Sequence, residues 1–150
     1  KLAAAMGSAG LGCQRAAHAP TMLWQKLVWN APFNAICALT GLPAARVLDQ
    51  PELETLVAEA MREVILVGRA EGATLGAPLV QLMLQLTRSQ FPDTEPSMLQ
   101  DLRAGRLPEI DALQGAVLRA GAKHGLPTPV HVSLHALLRG RASSVSPHWP

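Results

Sequence analysis

Three polar residues stand at four-residue intervals in an otherwise apolar run. They are Lys26, Asn30 and Asn34, in the stretch TMLWQKLVWNAPFNAICALTG. A helix returns every fourth residue to nearly the same face, about 6 Å further along its axis. One face of this run therefore carries an ammonium followed by two carboxamides. An ammonium can stabilise a developing oxyanion and hand it a proton. Carboxamides can donate to or accept from substrate oxygens. Leu23, Trp24, Leu27, Val28, Trp29, Phe33, Ile36 and Leu39 extend almost all the way round the same helix, so it is predicted to be buried. A buried lysine needs a polar companion. Two readings stay open. Either Lys26 snorkels to water while the asparagines satisfy backbone groups, or another part of the protein, a water or a ligand meets the stripe. Pro32 removes one backbone hydrogen bond and predicts a kink near Val28 to Asn30.

The remaining elements follow from punctuation and periodicity. The organising helix runs from Thr21 to Gly41, a residue suited to a left-handed stop, with Pro43 beyond. Ala44 to Gln50 reads as a loop or brief turn. Pro51 opens a helix to Gly72, with Glu52 and Glu54 in its first turn and an inward stripe of Leu53, Leu56, Val57, Ala60, Val64 and Val67. Pro78 to Phe91 is a leucine-rich helix whose inward stripe is expected to be Leu79, Leu82, Met83 and Leu86. Ser97 and Gln100 form a capping-box pattern at the start of a short helix to Ala104. Pro108 is expected at the first position of a helix reaching Gly125. A last helix covers VHVSLHALLRG, and the tail RASSVSPHWP is expected to fray. Upstream, residues 1–8 read as a short helix and Cys13 to Pro20 as a connector that could carry a strand. The fold class is all-α: a helical bundle of six or seven helices in one domain, 1–150.

Composition narrows the function. Apolar residues make up 49% and charged residues 16%, enough for a core and against disorder. A net charge of +2 with 3% aromatics argues against nucleic acid. No apolar run spans a bilayer without interruption by Lys26, Asn30 and Pro32. Cys13 and Cys37 lack the spacing of a zinc site and fit a reduced, cytoplasmic protein better than a disulfide. GSAGLG has neither the preceding strand nor the βαβ setting of a dinucleotide loop.

At SMLQDLRAGRLPEID, followed by ALQGAVLRAGAKHGLPTP, the chain strongly resembles the C-terminal domain of ketopantoate reductases (2-dehydropantoate 2-reductases). WQKLVWNAPFN resembles the same domain's Trp-x-Lys-Leu-x-x-Asn-x-x-x-Asn run. The two motifs stand in the family's order about seventy residues apart, and the resemblance covers essentially the whole chain. The resemblance implies a helical domain like that of 6-phosphogluconate-dehydrogenase-like enzymes. It implies NADPH-dependent reduction of 2-dehydropantoate, or a similar 2-oxo acid, on the route to pantothenate and coenzyme A. By position, Lys26 looks like the catalytic lysine and Glu109 like the active-site glutamate, which could also bind the cofactor ribose. Asn30 and Asn34 match substrate-contacting asparagines. Ser97 and Asp101 match residues near the substrate's hydroxyl end. Glu63 resembles another recurrent acid. The family's N-terminal Rossmann domain is not represented, so the chain is expected to be part of a longer protein and inactive alone. Partners implied are that domain, the 2-oxo acid and a second copy in a homodimer. One departure is GLPAARV, where the family often has a further polar residue.

Each residue also has a plain role: Ser97 as a cap, Asp101 as a solvated partner of an arginine, Glu109 as a first-turn acid. Trp24 and Trp29 suit packing, and the histidines carry no evident pattern. Two rivals remain at this level. One is another hydroxy-acid dehydrogenase, such as a 3-hydroxy-acid enzyme. The other is a non-enzymatic dimerisation module built on Pro78 to Phe91 and Trp149.

Overall fold

The computed structural model describes residues 19–145, which form seven α-helices. They are α1 (Ala19–Thr40), α2 (Ala44–Leu48), α3 (Pro51–Ala70), α4 (Leu79–Gln90), α5 (Ser97–Arg103), α6 (Ile110–Lys123) and α7 (Pro129–Val145). No strand occurs among the described residues. The expected helix at 1–8, the glycine-rich GSAGLG, Cys13 and Trp149 lie outside them.

α1 is the axis of the bundle and packs against α2, α3, α5, α6 and α7. Its two halves behave differently. Val28 and every residue from Ala31 to Ala38 are buried, whereas Met22 is 60% and Leu23 69% exposed. The expectation of a helix buried throughout is corrected accordingly. Only the second half is enclosed by neighbours, while the first turns stand clear of them. α1 continues unbroken through Pro32. Gly41 ends it at φ 76°, a left-handed conformation in which a Cβ would be strained, and donates its N–H to the Cys37 carbonyl at 2.8 Å.

The core is a continuous apolar cluster. Phe33 and Ile36 of α1, Met61 and Val64 of α3, Met98 of α5 and Leu138 of α7 are at most 3% exposed. α3 buries its expected stripe, with Leu53 and Leu56 only partly covered. α3 also approaches α1 closely. A Cβ at Gly68 would fall 2.9 Å from Leu75 Cδ1 and 3.1 Å from the Trp24 ring.

Several expected boundaries shift. Ala44 to Leu48 is a helix rather than a loop, because Ala44, Val47 and Leu48 are buried. α7 starts at Pro129 and runs into the segment expected to fray, since Leu138 and Ala142 anchor its last turns in the core. α4 turns inward Leu79, Val80, Leu84 and Thr87, leaving Leu82 46% exposed. The Trp29 indole N–H donates to Thr87 Oγ1 at 2.9 Å, which keeps Thr87 on the α1 side. Cys37 is buried with a free thiol, and burial, then the Glu95 charge, push its pKa up to about 12. Such a thiol is inert.

Candidate active site

Where α1 meets α5 and the start of α6, a cleft of about 350 Å³ opens. Asn30, Asn34, Ser97, Asp101 and Glu109 all line it, alongside Trp29 and Leu113. Residues more than seventy positions apart in the chain thus share one wall. Lys26 lies one helical turn before Asn30. Two further hollows flank it, both bordered by Asn30: one of about 290 Å³ beside Trp24, Leu27 and Leu113, the other of about 380 Å³ beside Gln25, Trp29 and Met83. Asn30 is therefore common to all three, and Leu113 joins the Lys26 hollow to the main cleft. Lys26 stands beside the Ser97–Glu109 pocket, not across the molecule from it.

Lys26 is exposed, in keeping with the reading in which it snorkels to water. It belongs to the uncovered half of α1, so its ammonium reaches water without desolvation. Among the described residues no hydrogen bond or ion pair engages Lys26, the Asn30 side chain or the Glu109 carboxylate.

Asn34 is 4% exposed and engaged at both ends of its carboxamide. Its Nδ2 donates to the Asn30 carbonyl at 2.9 Å. Its Oδ1 accepts from Met98 N–H at 3.0 Å and from Ser97 Oγ at 3.2 Å. Ser97 is the first residue of α5, after Pro96, and makes no side-chain cap. The capping box is thus corrected: Gln100 Nε2 donates instead to the Glu95 carbonyl at 2.7 Å. Asn34, from another helix, receives an amide of the first turn of α5. The Leu99 and Gln100 N–H groups, which a capping serine would receive, donate instead to the Pro96 carbonyl at 3.0 and 3.2 Å.

Asp101 lines the cleft but accepts both Nε and Nη2 of Arg106, at 3.0 and 2.8 Å. Its plain role as an arginine partner is therefore present beside its place in the wall. Glu109 is exposed and sits just before α6, without a capping bond. α6 begins at Ile110, so Pro108 precedes the helix rather than opening it. Ile110 N–H donates back to the Pro108 carbonyl at 2.9 Å, a tight turn that holds Glu109 at the rim.

Glu63 is not in the cleft. Its carboxylate reaches from α3 to the start of α7. Oε1 accepts Val130 N–H at 2.8 Å, and Oε2 accepts His131 N–H at 3.0 Å and pairs with His131 Nδ1 at 2.8 Å. Burial raises its pKa, but the bonds from His131 and the two backbone amides outweigh burial and hold it below the ordinary range. His131 is wholly buried, and its Nε2 has no partner among the described residues. Gln114, also wholly buried, donates to the Ala31 carbonyl at 2.6 Å and leaves Oε1 unpaired. Sequence reasoning missed His131 and Gln114. The signal for the first was a histidine two residues past Pro129, where a helix start exposes amides. For the second there was none beyond a glutamine on an apolar stripe.

No group of three or more histidine, cysteine or acidic side chains suited to a metal occurs among the described residues. No described helix is long and apolar enough to cross a membrane.

Residues 20–142 match the family model described as ketopantoate reductase PanE/ApbA C terminal. A 2-dehydropantoate 2-reductase of Caulobacter vibrioides is 36% identical over 122 residues, which are 81% of this chain and 41% of that protein. The crystal structure of a ketopantoate reductase from Ralstonia eutropha superposes with a TM-score of 0.84 at 33% identity, over 96% of this chain and 48% of that one. D-mandelate dehydrogenase in complex with NADH superposes with a TM-score of 0.85 at 25% identity, over 97% of this chain and 50% of that one. The chain spans 41–45% of the length of the first curated relatives it matches.

Proposed function

The chain belongs to the ketopantoate reductase family, in the part that forms its helical C-terminal domain, and from that premise we propose that it is the substrate-binding and proton-donating part of a nicotinamide-dependent 2-oxo acid reductase. 2-Dehydropantoate is the proposed substrate and NADPH the proposed cofactor, bound mainly by an N-terminal Rossmann domain. The observation that carries this reading is the single cleft shared by Asn30, Ser97 and Glu109, with an unengaged Lys26 at its edge.

The bound cofactor supplies a hydride to the ketone carbon. The residues of this chain fit its edge: an apolar hollow beside Lys26, between Trp24, Leu27 and Leu113, suits a flat ring, and Glu109 suits a ribose or substrate hydroxyl. Hydride addition turns the carbonyl oxygen into an alkoxide. Lys26 Nζ stabilises that charge and delivers the proton, so the ketone leaves as a hydroxyl. Asn30 orients the oxygens, and its side chain is available because no protein group claims it. Asn34 holds α1 against α5 instead.

The test is Lys26→Ala in the full-length protein. Its kcat is expected to fall about 100- to 10,000-fold, with cofactor affinity little changed. Near-normal turnover would remove Lys26 from the chemistry. A substrate screen decides the class, since preference for a 3-hydroxy acid over every 2-oxo acid would overturn this reading.

A further inference from the structure

α3 and the start of α4 border an open cavity of about 470 Å³. It shares no residue with the cleft or with the two hollows beside Lys26. Its size is usual for a small-molecule site. Its apolar wall comes from Ile65 and Leu66 on α3 and from Ala77 and Val80 at the start of α4. Ile65 and Val80 are buried, whereas Leu66 is 45% exposed. Arg62 and Arg69 border the same space, and no acidic side chain lines it. Seven residues apart on α3, the two arginines stand on nearly one face, about 10 Å from each other along the axis.

The charge around this cavity is unbalanced. The acids close by in the chain are committed: Glu59 to Arg62, Glu63 to the first turn of α7, and Glu71 to Lys123 and His124. Arg69 is left without a carboxylate. Its Nε donates to the Leu75 carbonyl at 2.8 Å, and nothing else among the described residues bonds it. That one bond anchors the guanidinium and leaves Nη1 and Nη2 unclaimed, and such paired donors match a carboxylate or a phosphate. An anchored cation thus stands beside an apolar wall that water wets poorly. We propose that the α3–α4 cavity binds a small organic anion. Its single carboxylate or phosphate head sits on the Arg69 fork, and its apolar body lies against Ile65, Leu66 and Val80. Arg62, held by Glu59, adds positive field rather than a second head site. The site is separate from the reductase cleft, and the proposal does not rest on the reductase reading.

The experiment titrates the full-length protein with hexanoate, hexyl phosphate, inorganic phosphate and hexanol, and follows the amide NMR shifts of Ile65, Leu66, Arg69, Val80 and Gln81. Hexanoate, hexyl phosphate or both are expected to move these amides saturably, and the tighter of the two identifies the head as carboxylate or phosphate. Inorganic phosphate and hexanol, each with half of the chemistry, should bind more weakly. Arg69→Gln should weaken the anions about tenfold or more, the worth of one charge-assisted hydrogen bond. Leu66→Ser should weaken the hexyl compounds about threefold or more and leave inorganic phosphate unchanged. Should Arg69→Gln not fold, the wild-type comparison of the four probes and the Leu66→Ser titration still decide. The proposal is overturned if neither hexyl anion shifts these amides, if hexanol or inorganic phosphate matches them, or if Arg69→Gln binds as wild type does. It is overturned too if the shifts follow protein concentration instead of added anion, which would make this face a contact between copies. None of these readouts involves turnover, so the reductase reading stands or falls separately.

Discussion

At the scale of single residues, the Glu63 carboxylate has the most demanding position. It supplies the acceptors that the first turn of α7 lacks within itself, and its charge sits at the positive end of that helix. Replacing it by glutamine puts an amide donor against one of the two backbone donors. Glu63→Gln is expected to cost about 1–3 kcal/mol at neutral pH, read by urea denaturation. The pH dependence has a definite sign. The folded-state pKa is held low, so the ionised form is favoured in the folded chain. Its contribution is complete above the ordinary carboxylate range and is lost as pH falls through the lowered value. The gap between wild type and Glu63→Gln should therefore narrow as the buffer is taken from about pH 6 to about pH 3. A gap that widened on acidification would show that the neutral acid is the form α7 prefers.

At the scale of elements, α1 is two things on one axis. Phe33 is fully buried and Leu23 is 69% exposed. In the isolated chain Phe33→Ala should cost about 3–5 kcal/mol through cavity formation. Leu23→Ala should cost within about 0.5 kcal/mol. Comparable losses from both, measured by chemical denaturation, would mean that the first half of α1 is covered. The same contrast explains what could be read from sequence. Helix starts and stops were legible because Pro51, Gly41 and Gly72 impose them chemically. The faces of α3 were legible because its apolar residues keep one register. The burial of α1 was not, since apolar residues all round it do not say which turns have neighbours. Nor was the rotation of α4, where the polar Thr87 faces inward because Trp29 offers it a donor across space. Of the site, the four-residue spacing placed Lys26, Asn30 and Asn34 on one side. Only folding shows that Asn34 is closed off by α5 and Asn30 is not.

At the scale of the whole molecule, the distribution of unengaged groups is uneven. Lys26 and the Asn30 carboxamide lie on one side of α1, together with exposed Met22 and Leu23 and two open hollows. Elsewhere the surface charges are largely paired, as in Arg46–Asp49, Arg88–Glu54 and Lys123–Glu71. Such pairs are worth little individually. They mark surface already at ease with water, whereas large apolar side chains gathered around an unpaired cation mark surface made to be covered. A Rossmann domain on this side would bury Leu23 and bring the cofactor to Lys26 without disturbing the core, which the second half of α1 already completes. The expected consequence is separable folding and activity. The 150-residue chain should unfold cooperatively yet reduce no 2-oxo acid when NADPH is added. Amides of residues 19–27 should exchange with solvent faster in this chain than in the full-length protein, while those of 31–38 exchange equally slowly in both. Equal protection of 19–27 in the two would mean that the other domain docks elsewhere, and the placement of Lys26 at a shared cleft would fail with it.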